Sequence, residues 1–141
     1  MRRYLVACVV AAAALAVPAF VSAQSGHFVG TPTCTDIGTQ LSCSGKVAGL
    51  GGTTFTITIT APGTASVQCT NPAGNVAPGQ SFSFSATGSF TGQTPRNGQF
   101  TFRNLTTQAP TPPAGSCPNS KWTATVTDVT FGTPTFSLSE S

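Results

Sequence analysis

Charged side chains are scarce in this chain of 141 residues, which has six Lys or Arg, three Asp or Glu and one His. Proteins that bind a nucleic acid or an anionic membrane surface do so with clustered Lys and Arg. After the first 23 residues, the cations are few and scattered: Lys46, Arg96, Arg103 and Lys121. The sequence therefore predicts no nucleic-acid partner and no membrane partner. An anion contact by Arg96, Arg103 and Lys121 would need adjoining strands, so isolated solvated charges are favoured.

Groups that carry out catalysis are equally scarce. General acid–base catalysis needs titratable side chains held within reach of a substrate. The single histidine, His27, lies near the predicted mature N-terminus, where chains fray. The carboxylates Asp36, Asp128 and Glu140 form no evident pair, so glycoside hydrolysis lacks its two acids, and metal chemistry with two histidines is excluded. We therefore expect no enzymatic activity, no catalytic residue, no cofactor and no metal site.

The N-terminal segment has the organisation of a secretory signal peptide. Arg2 and Arg3 form a positive region, residues 5–17 form an apolar run, and Val21-Ser22-Ala23 offers small residues for cleavage. The run of 13 residues is shorter than the stretch of about 20 that spans a bilayer. The prediction is a signal peptide over residues 1–23 and a secreted domain over residues 24–141. That domain is expected outside the cell or at its surface, without membrane attachment once the signal is removed.

The secreted part has four cysteines: Cys34, Cys43, Cys69 and Cys117. An even number in a small secreted domain indicates disulfides, and no Cys-x-x-Cys pair points to a metal. Four cysteines allow three connectivities. The turn residues at 36–39 favour a hairpin that sets Cys34 opposite Cys43, so we predict the disulfides Cys34–Cys43 and Cys69–Cys117.

Apolar and polar residues alternate along most of the secreted part, as they do in half-buried β-strands. The clearest example is Thr54–Thr60, in which Phe55, Ile57 and Ile59 share one face. Further strands are predicted at Leu41–Val47, Ala65–Thr70, Ser81–Ala86 with a continuation to Phe90, Gln99–Arg103, Trp122–Val126 and Phe136–Leu138.

Turn residues separate these strands. Breaks are predicted at Ala61-Pro62-Gly63 and in the loop Asn71–Gln80, and Asn97-Gly98 predicts a β-hairpin. The apolar positions change parity after Val126, which indicates one extra residue near Thr127-Asp128, a β-bulge. Seven to eight short strands without a crossover helix predict an all-β chain, folded as a single antiparallel β-sandwich of immunoglobulin-like type.

Two stretches are candidate interaction surfaces. The loop Thr106–Asn119 is anchored at Cys117 and made semi-rigid by four prolines: Pro110, Pro112, Pro113 and Pro118. Protease inhibitors and adhesion modules present loops of this kind, although a plain connection between sheets is the simpler interpretation. The outward threonines of Thr54–Thr60 and Thr123–Thr127 would suit an ice-binding ladder, but no internal repeat supports one, so ordinary solvent-facing threonines are favoured.

Three segments resemble small secreted bacterial all-β proteins of uncharacterised function: Phe28–Cys34, Cys69–Gln80 and Trp122–Val129. The resemblance implies secretion and an all-β domain that is immunoglobulin-like only in general architecture. It carries no activity and no site. In an immunoglobulin domain proper the tryptophan lies between two cysteines, whereas Trp122 follows Cys117.

The first functional hypothesis is a non-enzymatic secreted domain that binds or builds at the cell surface. Its partner would be an unknown extracellular protein or a surface polymer. One alternative is an inhibitor of an extracellular protease that acts through residues 106–119. Another is a carrier of an apolar small molecule, which would need a cavity among the ten phenylalanines, although these fit an ordinary core equally well.

Overall fold

One long strand organises the fold. The computed structural model describes residues 25–141, and the predicted signal peptide at residues 1–23 lies outside the described part. Strand β4 (Thr54–Thr70) buries its odd-numbered side chains and turns its even-numbered ones outward. Alternate β-branched and aromatic residues, such as Phe55, Ile57 and Ile59, favour this extended conformation because they pack well on a pleated surface.

β4 is the middle of a five-stranded antiparallel sheet and has two neighbours on each edge. β6 (Phe82–Gln93) and β5 (Val76–Pro78) pair along one edge, and β9 (Thr135–Glu140) and β8 (Thr123–Phe131) pair along the other. The register with β6 is continuous over twelve pairs. The register with β8 shifts after Ser66, where Thr127 is the extra residue of the predicted β-bulge.

The predicted break at Ala61-Pro62-Gly63 is wrong, because β4 runs through it. Pairing with β9 ends at Thr60 and pairing with β8 begins at Gly63, so Pro62 lies where one neighbour replaces the other. Proline has no N–H to donate to a sheet. Its carbonyl accepts a hydrogen bond from Gly132 N (2.8 Å) in the connection between β8 and β9. Pro62, which lacks an N–H group, therefore lies at a position that is paired with neither β8 nor β9.

The second antiparallel sheet has four strands around β3 (Leu41–Ala48). β1 (His27–Phe28) and β2 (Thr33–Asp36) pair with the two ends of β3 along one edge, and β7 (Phe100–Thr106) pairs along the other. The predicted turn at 36–39 joins β2 to β3, and the predicted disulfide Cys34–Cys43 links two directly opposite residues. The pairing of β3 with β7 is irregular, because Arg103 and Asn104 together face Ser44.

The core lies between the two sheets. In one cluster, Phe55 and Ile57 of β4 pack against Val47 and Phe102 of the four-stranded sheet. A second cluster continues the contact along β4: Leu41, Cys43, Ile59 and Ala61. Burial of such side chains contributes about 1.5–3 kcal/mol each, which makes this contact the main source of stability.

The connection between β7 and β8, residues 107–122, covers the inner face of the second half of β4. The predicted disulfide Cys69–Cys117 ties it to that strand. Ser116 O accepts a hydrogen bond from Gln80 N (3.0 Å), and Thr107 N donates one to Leu41 O (2.9 Å). Thr107 and Ser116 are buried while most of the other residues are exposed, so the connection is anchored to the core at these two positions.

Two further predictions need correction. The described residues form nine strands rather than seven to eight, because the short β1 and β5 add to the count. β5 lies within the predicted loop Asn71–Gln80. There Asn71 Oδ1 accepts hydrogen bonds from Ala73 N (3.0 Å) and Asn75 N (2.8 Å), which closes a tight turn and folds β5 back onto β4.

Asn97-Gly98 forms a turn but no hairpin. Gly98 N donates to Pro95 O (3.0 Å) and Gly98 has a positive φ of 72°, yet β6 and β7 belong to different sheets. Gly98 O accepts a hydrogen bond from Leu50 N (3.0 Å), so the turn is held by the connection between β3 and β4. Elsewhere, strands and their connections make up the described residues, none of which forms a helix with the length and apolarity of a membrane span.

Candidate functional site

The outer face of the five-stranded sheet is built almost entirely from serine and threonine. Even-numbered residues of β4 point away from the core, and residues directly opposite them on neighbouring strands share that face. Ser or Thr occupies seven of the nine positions on β4, five of six on β6, three of four on β8 and all three on β9. We call these residues the Ser/Thr face: Thr54, Thr56, Thr58, Thr60, Thr64, Ser66 and Thr70 on β4, Ser83, Ser85, Thr87, Ser89 and Thr91 on β6, Thr123, Thr125 and Thr130 on β8, and Thr135, Ser137 and Ser139 on β9.

The register arranges these hydroxyl groups in rows across the sheet. Thr58 lies between Ser137 of β9 and Ser89 of β6, and Thr60 lies between Thr135 and Thr87 in the next row. Neighbouring strands are about 4.8 Å apart, and residues two apart on one strand are separated by about 6.8 Å. The Ser/Thr face is therefore a grid of hydroxyl groups that is three strands wide in the rows of Thr56, Thr58, Thr60 and Thr64, over about 27 Å of β4, and narrower elsewhere along that strand.

Most of these hydroxyl groups have no partner within the protein. Thr56 Oγ1 and Thr91 Oγ1 are 2.9 Å apart, Thr135 Oγ1 donates to Thr60 O (3.2 Å), and Thr54 Oγ1 contacts Ser141 Oγ. The other side-chain hydroxyls of the Ser/Thr face make no hydrogen bond within residues 25–141. They are available to a ligand or to water.

The electrostatic character of the face is close to neutral. The five strands contain no Lys or Arg, and Asp128, opposite Ser66, is the one charged side chain among the outward positions of β4, β6, β8 and β9. An ionic ligand would find almost no charge to pair with. A neutral partner rich in hydroxyl groups matches the face in both charge and hydrogen-bonding character.

The predicted interaction loop lies elsewhere, on the connection between β7 and β8. Pro110 and Pro112 are half-buried, whereas Pro113 and Pro118 are exposed. Ser116 donates to Pro113 O from both its backbone N (3.3 Å) and its side-chain Oγ (2.7 Å). The exposed tip is therefore a compact turn rather than an extended segment.

The residues considered for catalysis lie on different elements. Asp36 Oδ1 accepts a hydrogen bond from Gly38 N (2.8 Å) in the turn between β2 and β3, while Asp128 is on β8 and Glu140 ends β9. His27 is exposed, with its Nδ1 3.1 Å from Ser25 O. Residues 25–141 hold no group of three His, Cys, Asp or Glu side chains that would suit a metal ion.

Glu140 has a structural environment. Its Oε1 accepts hydrogen bonds from Gly51 N (2.7 Å) and Gly52 N (2.9 Å), and its Oε2 accepts one from Gly26 N (3.0 Å). The bond from Gly52 has the largest effect on the pKa of the Glu140 carboxyl, and together the three bonds lower it from its ordinary value of 4.5 against an opposing effect of burial. The carboxylate thereby joins the end of β9 to the β3–β4 connection and to the segment before β1.

No family model, no curated protein and no solved structure matches this chain. The functional argument therefore rests on the geometry.

Sequence patterns do not identify the Ser/Thr face as a site, because its residues are far apart in the chain. The alternation predicts that the threonines of Thr54–Thr60 point outward, and the serines of residues 81–89 alternate in the same way. No local pattern predicts the register that sets β6 and β9 on opposite edges of β4. Without that register, each strand presents an ordinary solvent-facing row.

Proposed function

We propose that this chain is a non-enzymatic, secreted β-sandwich, immunoglobulin-like only in general architecture, that binds a neutral polysaccharide through its Ser/Thr face. The observation that carries the proposal is the grid of unpartnered hydroxyl groups across three strands. Sugars offer hydroxyl groups at regular intervals along a chain. Each hydrogen bond to such a group contributes only about 0.5–1.5 kcal/mol, so a useful affinity requires many of them, as a grid provides.

A repeating polymer also suits the shape of the face. β4 has 17 residues, and a cavity of about 320 Å³ lined by Pro62, Thr64, Ser83 and Thr130 takes up only part of its outward face. A polymer chain or a polymer surface can contact many rows of hydroxyl groups at once. After the first contact forms, the remaining sugars are held near the face at a high effective concentration, which favours further contacts. Of the two partners expected from the sequence, an extracellular protein or a surface polymer, the proposal takes the polymer and specifies it as a neutral carbohydrate.

Secretion and the absence of catalysis are supported by separate features. The two disulfides are consistent with an oxidising compartment outside the cytoplasm. Glu140 is occupied by three backbone N–H groups, and Asp36 is bonded within its own turn. These two carboxylates serve local structure, which favours a binding role for the protein.

The two alternatives have weaker support. A protease inhibitor would act through the loop Thr106–Asn119, whose exposed tip is a compact turn and whose ends are built into the core. A carrier of an apolar molecule would use space between the sheets. There Phe55 and Phe100 are in contact, with ring centroids 5.0 Å apart, and Phe55 and Phe102 are buried in the core.

The test is a depletion assay with insoluble neutral polysaccharides: cellulose, chitin, starch and a β-1,3-glucan. We expect the protein to bind at least one of them. The double variant Thr58→Val, Thr60→Val keeps the shape of two central side chains and removes their hydroxyl groups. It should bind about tenfold more weakly, since two lost hydrogen bonds amount to about 1–3 kcal/mol.

The matched control is the double variant Thr35→Val, Thr111→Val, which makes the same change at two exposed positions outside the Ser/Thr face. It should bind the neutral polymer like the wild type. The proposal is wrong if no neutral polysaccharide retains the wild-type protein, or if both double variants bind equally well.

A further inference from the structure

The outer face of the four-stranded sheet has a groove where the strand pairing is broken. Along one edge of β3, residues 29–32 leave a gap between β1 and β2, and along the other edge β7 bulges at Arg103 and Asn104. The groove has a volume of about 530 Å³. Its polar lining includes four side-chain hydroxyls: Thr31, Thr33, Ser44 and Thr101.

Two of the four cations in the described residues line this groove. Lys46 of β3 lies opposite Thr101 of β7, and Arg103 follows two residues along β7 on the same exposed face. Residues in such a diagonal relation have Cα atoms about 7–8 Å apart. One anionic group between the two side chains is therefore within reach of both.

Neither charge is neutralised within the described part of the chain. The side chains of Lys46 and Arg103 make no ion pair and no hydrogen bond there, and no Asp or Glu lines the groove. The acidic side chains are used elsewhere: Asp36 in its turn, Asp128 on the Ser/Thr face and Glu140 at the end of β9. The groove is thus a site of unpaired positive charge on a protein that has very little charge.

An aromatic slot adjoins the groove across β7. Arg103 and Asn104 line both, and the slot of about 220 Å³ is also lined by Phe90 and Phe100. The two rings are stacked, with centroids 5.1 Å apart and planes at 10°. Phe90 is 38% exposed, which is unusual for a phenylalanine on the inner side of a sheet. The apolar surface and the cations therefore lie side by side.

We propose that this groove binds an acidic polysaccharide. Lys46 and Arg103 pair with a carboxylate or sulfate group on one sugar. The hydroxyl groups of the groove and the Asn104 amide exchange hydrogen bonds with the hydroxyl groups of that sugar, and Phe90 packs against the apolar face of a neighbouring sugar. Guanidinium and ammonium groups bind such oxyanions through charge-assisted hydrogen bonds. The site lies on the sheet opposite the Ser/Thr face and is independent of it, so one domain would link an acidic polymer to a neutral one.

The test compares two variants that remove the same charge. Lys46→Gln, Arg103→Gln empties the groove of cations, and Arg96→Gln, Lys121→Gln removes the two exposed cations that lie in connections outside it. Binding to polygalacturonate and to dextran sulfate is measured by affinity electrophoresis at low salt, with a gel that contains no polysaccharide as the reference. The groove variant should bind at least one acidic polymer about tenfold more weakly than the wild type, and the control variant should change binding less than twofold.

Two further measurements separate the site from a general attraction of charges. Phe90→Leu should weaken binding to the acidic polymer while leaving the net charge unchanged. Thr58→Val, Thr60→Val should leave binding to the acidic polymer unchanged. The experiments therefore distinguish an error in the proposal for the Ser/Thr face from an error in the proposal for the groove. Equal losses in the two charge variants would overturn the proposal, as would a wild-type protein that the acidic polymers do not retard relative to the gel without polysaccharide.

Discussion

The outer faces of the two sheets differ because their strand pairing differs. β4 pairs with β6 over twelve consecutive residues, and the side chains that this register brings together form the regular Ser/Thr face. β3 has a gap along one edge and a bulged neighbour along the other, and a groove forms at that position. Charge follows the same division, since the five-stranded sheet has no cation and the groove has two.

This difference shows how one small fold can offer two kinds of surface. Regular pairing repeats the same chemistry at fixed spacing, which suits an extended partner with a repeat of its own. Broken pairing creates depth and brings unlike groups together, as it does at Asn104, whose positive φ of 54° belongs to the bulge.

The largest expected effect comes from the disulfide that holds the five-stranded sheet. Cys69–Cys117 closes 48 residues and Cys34–Cys43 closes nine. On the chain-entropy model, their removal lowers the free energy of unfolding by about 4 and about 2.5 kcal/mol, respectively. Urea unfolding of Cys69→Ser, Cys117→Ser and of Cys34→Ser, Cys43→Ser measures both. If the second variant is the less stable one, the connection 107–122 does not depend on its cross-link as described.

The next largest effect separates the two faces of β4. Ile57 is fully buried between the sheets, so Ile57→Ala should lower the free energy of unfolding by about 2–4 kcal/mol. Thr58→Ala, one residue further on and facing outward, should change it by no more than about 1 kcal/mol. Thermal unfolding of the two variants provides the comparison. Equal losses would mean that Thr58 contributes to folding and that the Ser/Thr face is not a free surface.

A smaller effect concerns Glu140, which joins the two sheets at one end. Because its pKa is lowered in the folded state, its contribution to stability is present above the ordinary value of 4.5 and is lost as pH falls through the lower folded value. Glu140→Gln should reduce stability by about 1 kcal/mol at neutral pH, since solvent partly screens this half-buried group. The difference between wild type and variant should then shrink at pH 3. Urea unfolding at pH 7 and pH 3 measures it, with Asp128→Asn as a control that loses no internal hydrogen bond.

Much of the fold could be predicted from local patterns. Alternation identified the inner face of β4, and the turn at 36–39 set Cys34 opposite Cys43. The bulge at Thr127 followed from the change of parity alone. These features depend on neighbours within about ten residues, where side-chain period and turn chemistry decide the conformation.

The remaining features depend on contacts between distant segments. Pro62 lies inside a continuous strand because the pairing of β4 with β9 ends just before it and the pairing with β8 begins just after it. No local sequence pattern predicts this change of neighbour. Asn97-Gly98 has the residues of a hairpin, but its flanking strands pair with partners elsewhere. The candidate sites were missed for the same reason, since a cation at 46 and another at 103 become neighbours only through the register of β3 and β7.

The most direct test of the central claim, that the two outer faces bind different polymers, is a methyl NMR titration of the wild-type protein with soluble neutral and acidic oligosaccharides. The account predicts that the neutral ligand shifts the methyl signals of Thr58, Thr60 and Thr87, and that the acidic ligand shifts those of Thr31, Thr33 and Thr101. It is contradicted if both ligands perturb the same set of methyl groups, or if neither perturbs the Ser/Thr face.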